Sequence, residues 1–352
     1  TGDWNSSATG IPGIGRGYTL QTTGNKVSFY GSIAGEVNEL STTSPYSDCD
    51  WLGGESNEYS TRSYAAGRNT NFGGGGWNLL GNPYTSALDV SKFIDYNNGD
   101  NASAGDGSFD PNYEAVYLYD GSSFSYIGIQ IPGYPNTSDG FGSNNVQVGQ
   151  GFFVLSHCNT STFSFSPGTS GMQTHNTSVE LKSAGVPWPG LVLTVKSGSV
   201  EKSTTVVYHE EMKTGLDPGY DVGHLSAGSE LEVFTALAED KGINFARQAL
   251  PLEGSGKNIV PVGIDAEKGG DVTFSAFVNP IGNSTFYLED RTKGIITDLS
   301  KNHYTVYLSP KTSGTGRFFI HTSDINQVPT SITEYRSPFR SDKANTGSQS
   351  RV

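Results

Sequence analysis

The run Tyr208-His209-Glu210-Glu211-Met212-Lys213 sets a histidine beside two carboxylates, the residue types that bind zinc and activate water. A zinc-protease motif needs a second histidine four residues after the first, on one helical face, and that position is Lys213. The run therefore reads as the end of a strand with a solvated face. The glycine runs "GIPGIGRG" and "GGGG" lack dinucleotide-binding spacing, and no Walker lysine follows either. No Gly-x-Ser-x-Gly elbow occurs, and His157, His175, His209, His224, His303 and His321 do not cluster in sequence. No catalytic constellation is expected, and no organic cofactor.

One segment offers metal chemistry. In "NNGDNASAGDGSFDPNYE", Asp100, Asn101, Asp106 and Asp110 supply the hard oxygen ligands that calcium prefers, although their spacing is not that of an EF-hand. A turn-rich connector without metal is the plainer reading. Cys49 and Cys158 both lie in polar surroundings and are read as a disulfide, with two unrelated thiols as the alternative. Trp51, Trp77, Tyr117 and Tyr119 have the aromatic faces that stack on sugar rings. In alternating strands, about half of such residues point into the core.

The elements that must position these residues are strands. Charged residues make up only 16% of the 352, whereas Gly (46) and Tyr (18) are abundant, a composition of short strands and many turns. Alternating apolar runs recur as "KVSFYGSI", "AVYLYDG", "SYIGIQI", "GQGFFVLS", "LVLTVKS", "TTVVYHEE", "DVTFSAFV", "STFYLEDR", "HYTVYLS" and "RFFIHTS". Helical periodicity is confined to Ser86–Tyr96 and Gly242–Leu250, each long enough for a helical turn or two. The motif "IGRGYTL" at Ile14 echoes "VGQGFFV" at Val148, as two equivalent hairpins would. The expected fold is all-β: two tandem β-sandwich (jelly-roll or Ig-like) domains, residues 1–180 and 181–329, followed by an extended polar tail over 330–352. A net charge of −13 with 22 scattered Lys and Arg argues against nucleic acid and anionic membranes, and no apolar run is long enough for a spanning helix.

At "GWNLLGNPYTSALDV", "AVYLYDG" and "VQVGQGFFV" the chain resembles a module near the C-terminal ends of exported Bacteroidetes proteins, the type 9 secretion substrates. Thr85 stands where that family usually has proline. "GLDPGYDVGHL", "INFARQALPL", "VPVGIDAEKGGDVTFSA" and "GRFFIHTS" resemble the domain that tends to follow, so the likeness runs from about Gly13 to Ser323. The resemblance implies export, and a mature chain from which a C-terminal sorting domain is missing. Under it, the Gly73 to Val90 stretch is architectural: a strand near Trp77, a turn at Gly81-Asn82-Pro83-Tyr84, and a crossing to another sheet.

Two functions follow as expectations. The first is a non-catalytic, secreted, cell-surface structural or adhesive protein, a self-assembling fibre or stalk subunit. It would dock on copies of itself or other surface chains through its tail, with Ile332, Tyr335 and Phe339 as the anchoring side chains. The second is a glycan-binding module of a secreted polysaccharide-degrading system, with Trp51, Trp77, Tyr117 and Tyr119 as its platform.

Overall fold

The computed structural model describes residues 39–41, 77–98, 108–119, 123–129, 131, 133–134, 144–156, 162–165, 172–174, 187–236, 243–253 and 259–324. The fold is all-β. Within these residues lie twenty strands, one α-helix and a short 3-10 turn over Pro111–Tyr113.

The first half holds β1 (Glu39–Ser41), β2 (Trp77–Gly81), β3 (Ala87–Asp89), β4 (Val116–Tyr119), β5 (Phe124–Ile127), β6 (Asn145–Val146), β7 (Gly151–Leu155), β8 (Thr162–Ser164) and β9 (Gln173–Thr174). Four strands form one sheet in the order β2-β7-β4-β5, three form β6-β3-β9, and β1 pairs with β8. The expected turn joins the first two sheets. Asn82 fixes it: its Oδ1 accepts from the Tyr84 amide, and its Nδ2 donates to the carbonyls of Ser86 and Val146. Only the second part of Ser86–Tyr96 is helical. α1 (Val90–Asn98) starts after β3, where the Asp89 carboxylate accepts from the Lys92 amide, and it ends where Asn97 bonds the backbone of Ser164. Its apolar Phe93 and Ile94 pack with Leu80, Leu118, Phe152 and Phe163.

The second half holds β10 (Gly190–Ser197), β11 (Val200–His209), β12 (Val222–Gly223), β13 (Leu231–Ala236), β14 (Asn244–Pro251), β15 (Val260–Ala266), β16 (Gly270–Asn279), β17 (Ser284–Asp290), β18 (Ile295–Asp298), β19 (Tyr304–Leu308) and β20 (Phe318–Asp324). All eleven belong to one sheet, ordered β18-β17-β20-β15-β13-β14-β11-β10-β16-β19 with β12 paired to β14. The two outermost strands, β18 and β19, are joined by residues 299–303 alone, so the sheet must roll until its edges approach. The nearly closed barrel is filled by alternate side chains. Leu191, Val206, Val233, Val262, Phe274, Leu288 and Ile320 point inward, and Tyr304 on β19 donates to Asp290 on β17 at 2.8 Å across the seam.

Of the stretch Gly242–Leu250, expected to include a helical turn, residues 244–250 instead belong to strand β14, and Gly242 lies outside the described residues. β14 is buried along almost its whole length, so no exposed face gives it the alternation by which a strand is recognised. Among the described residues no sheet mixes strands from the two halves, and each half has an apolar cluster of its own, but a further cluster is shared between them. The four-stranded sheet turns Tyr117 and Tyr126 toward Val222, Leu225, Phe245 and Ala246, and one apolar cluster spans the junction. None of the described helices is long and apolar enough to cross a membrane.

Candidate functional site

The junction between the halves concentrates the polar chemistry. At its centre is Arg247 on β14, fully buried. Its guanidinium donates from Nε to the Tyr220 carbonyl (2.9 Å), from one terminal nitrogen to the Ile129 carbonyl (2.9 Å) and from the other to the Gly219 carbonyl (2.7 Å). The Tyr126 ring lies 5.7 Å from the guanidinium carbon. Ile129 belongs to the first half, so this one side chain holds both. Nearby, Asp221 is also fully buried: one carboxylate oxygen accepts from the Ala249 amide, the other from the Asp217 amide, both at 2.7 Å. Burial pushes the Asp221 carboxyl well above its usual range despite these two bonds.

A narrow cleft lies beside this network, with about 30 Å³ of free volume, on the order of one water's share. Its walls come from both halves: Phe124 and Tyr126 from β5; Lys202 and Ser203 from β11; His224 and Glu232 from the segment around β12 and β13. Across the junction the Tyr117 phenol donates to the Gly223 carbonyl at 2.8 Å. Gly223 must be glycine, since a Cβ there would meet the Tyr113 ring at 2.4 Å. Within the cleft the His224 Nε2 and Glu232 Oε2 lie 2.9 Å apart, and Glu232 Oε1 accepts from the Ser229 amide. Burial pushes the Glu232 carboxyl up, but the bonds from His224, Ser226 and Ser229 outweigh it and hold the group below its usual range. The His224 ring stacks on Phe234 with centroids 5.4 Å apart.

A second histidine–carboxylate pair lies on β17 and β20. His321 Nε2 is 2.6 Å from Glu289 Oε2, and Arg291 donates to the same oxygen at 3.1 Å while its guanidinium covers the Phe319 ring at 3.5 Å. Burial lowers the His321 imidazole despite its acidic partner. His321 is 4% exposed and Glu289 wholly buried, so the pair is sealed from any substrate in this conformation.

The family model described as a domain of unknown function, DUF8693, matches residues 4–321, across both halves and the junction. This chain belongs to that family. No curated protein and no solved structure matches it.

In this DUF8693 chain the residues singled out by sequence fall as follows. His209 ends β11, and Glu210 and Glu211 stand in the solvated turn that follows; the His209 ring stacks on Trp188 at 4.1 Å. Of the four calcium candidates, Asp110 is fully buried and caps the Pro111–Tyr113 turn, its Oδ1 accepting from the Asn112 amide and side chain. Asp100, Asn101 and Asp106 lie outside the described residues. Among the described residues no three His, Cys, Asp or Glu side chains converge as a metal site would need. Trp77 and Tyr117 do not form an exposed platform: Tyr117 is 1% exposed, and Trp77 packs edge-on to Tyr113 and Tyr117 at 5.5 and 5.1 Å. Tyr119 is half exposed and lies against Phe124 at 4.9 Å. Trp51, Cys49, Cys158, Ile332, Tyr335 and Phe339 lie outside the described residues.

Sequence reasoning missed Arg247, Asp221, the His224–Glu232 pair and the His321–Glu289 pair. Only Arg247 left a signal, as a cation inside the otherwise uncharged run "INFARQALPL". A guanidinium there needs carbonyl or carboxylate partners once the run is buried.

Proposed function

We propose that this DUF8693 chain is a non-catalytic structural and adhesive segment of an exported surface protein, its two β bodies joined into one load-bearing unit. The observation that carries the reading is the junction: a continuous apolar cluster, crossed by the Arg247 bond to Ile129 and the Tyr117 bond to Gly223. A flexible tether between independent domains needs no such seal, whereas a stalk that transmits force does. Export is supported by the type 9 secretion resemblance of residues 76–90, and self-docking through residues 330–352 completes the proposal. Pulling the full chain from its two ends in a force experiment tests the mechanical part. The expected record shows no separation of the halves before either one unfolds; an early low-force separation overturns it. Surface labelling of intact cells that make the chain tests export, and label only after lysis overturns that part.

A second reading, glycan binding, is favoured by one observation. The exposed Tyr119 lies against Phe124, itself part of the cleft wall, so a partly exposed aromatic pair stands next to the junction. A panel of polysaccharides against the purified chain tests it, and uniform absence of binding overturns it.

A further inference from the structure

We infer that the barrel encloses a structural water site, in which one water molecule bridges the side-chain amide of Gln248 and the phenol of Tyr208. The site lies on the inward face of the strand whose outward face carries Arg247, and it stands apart from the function proposed above. Parallel pairing of β11 with β14 sets Val206 beside Gln248 and Tyr208 beside Leu250. Residues in register share a face, and Val206, Tyr208 and Leu250 all belong to the barrel core, so Gln248 is turned inward with them. Gln248 is wholly buried, and neither its amide nitrogen nor its amide oxygen has a hydrogen-bond partner in the protein. Tyr208 is wholly buried as well, and its hydroxyl is equally without a partner. Arg247 faces the junction and meets three carbonyls; Gln248, one residue on, faces the core and meets none.

The neighbouring side chains do not supply the bonds. Across the barrel wall the row beside Gln248 continues through Val206, Leu191 and Val278, all apolar. Thr204, diagonal to Gln248 on the side away from Tyr208, spends its hydroxyl proton on the carbonyls of Phe245 and Ala246 and has none for the amide oxygen. An amide left in an apolar interior with its donors and acceptor unmet is among the costlier defects a core can hold. Water removes the defect where roughly two to four polar atoms converge, and the amide oxygen, the amide nitrogen and the phenol oxygen make three. Strand geometry puts the Cα atoms of this diagonal pair about 8 Å apart, a span that two long side chains and one water can close. The Phe286 ring lies 5.9 Å from that of Tyr208, so the surroundings are those of a packed core, and they suit a guest the size of water.

The test begins with a crystal structure of the full native chain, a reading that depends on no variant folding. A density peak within hydrogen-bond distance of both the Gln248 amide and the Tyr208 hydroxyl is expected; a protein group on the amide in its place, or no density, overturns the site. Oxygen-17 relaxation dispersion in solution, which counts waters held longer than the molecule takes to tumble, is expected to find one more in the native chain than in Gln248→Met, and equal counts overturn it. Denaturant unfolding of Gln248→Met, Tyr208→Phe and the double variant then asks whether one water serves both groups. Each single change is expected to lower the midpoint, and the double change to lower it little further than the larger single one, since both lose the same bridge. Additive losses, or a Gln248→Met variant more stable than the native chain, overturn the bridge.

Discussion

The guanidinium of Arg247, in the second half of the chain, donates to the carbonyl of Ile129, in the first, at 2.9 Å. The same side chain also bonds Tyr220 and Gly219, so three carbonyls depend on one cation.

Arg247→Met keeps the apolar stem and removes every donor. Three carbonyls, that of Gly219 buried and those of Tyr220 and Ile129 part-buried, then lose a charged partner, a loss of about 3–5 kcal/mol by comparison with other broken buried networks. Calorimetry is expected to show one transition for the native chain and, for the variant, an earlier transition that splits in two as the halves come apart.

Tyr117→Phe is a milder cut at the same junction. It removes only the phenol that satisfies the Gly223 carbonyl, for about 1–2 kcal/mol and a fall in Tm of a few degrees. Thermal unfolding followed by circular dichroism measures it, and Arg247→Met should be the more damaging change.

Gly263→Ala examines the barrel. Phe234 lies directly opposite Gly263 across β13 and β15, and its ring folds over the glycine so closely that a Cβ would fall 2.0 Å from it. One added methyl must displace a packed aromatic, and a cost of about 1–3 kcal/mol or more follows. Denaturant titration should show a lower midpoint with an unchanged slope.

Two buried aspartates pull the pH profile in opposite directions. Burial pushes the Asp290 carboxyl up, but bonds from Arg317 and Tyr304 prevail and hold it below its usual range. Its contribution is therefore present above the unfolded value of about 4 and is lost as pH falls through the folded one. Asp221, raised by burial, contributes most below about pH 4, and its contribution is lost as pH rises toward the folded value. Asp290→Asn should flatten the acid limb of stability against pH, and Asp221→Asn should remove a decline that begins above about pH 4. Denaturant midpoints from pH 2 to 8 read both.

Removing residues 330–352 tests the self-docking proposal. Light scattering is expected to show oligomers for the full chain and monomers for the shortened one; equal masses would remove the tail from the account.

Much of this architecture was legible where one face of a strand meets water. β19 alternates buried and exposed residues from Tyr304 to Leu308, and its alternating sequence reveals it. β13 and β14 have no such face. Both are buried nearly throughout: the barrel core lies on one side, while on the other the first half covers Phe245 and Ala246 of β14 and His224 lies against Glu232 and Phe234 of β13, so period two vanishes from the sequence. The same sharing of surface hid the site. Tyr117 and Trp77 read as a sugar platform because a sequence does not say which aromatic faces are covered by a segment a hundred residues later. Glu289 and His321 are 32 residues apart and meet only because β17 and β20 pair.

The order of strands in the large sheet also governs when the chain can fold. Among the described strands of this sheet β20 comes last in sequence, but it lies inside the sheet, between β15 and β17. A chain emerging from its N-terminal end has β15 and β17 in hand with their facing edges unpaired until Phe318–Asp324 appears. The barrel therefore cannot be completed piecemeal during synthesis. Until that final strand is available the second half stays open, and anything that must thread the chain through a narrow passage works on a polymer that has not yet locked.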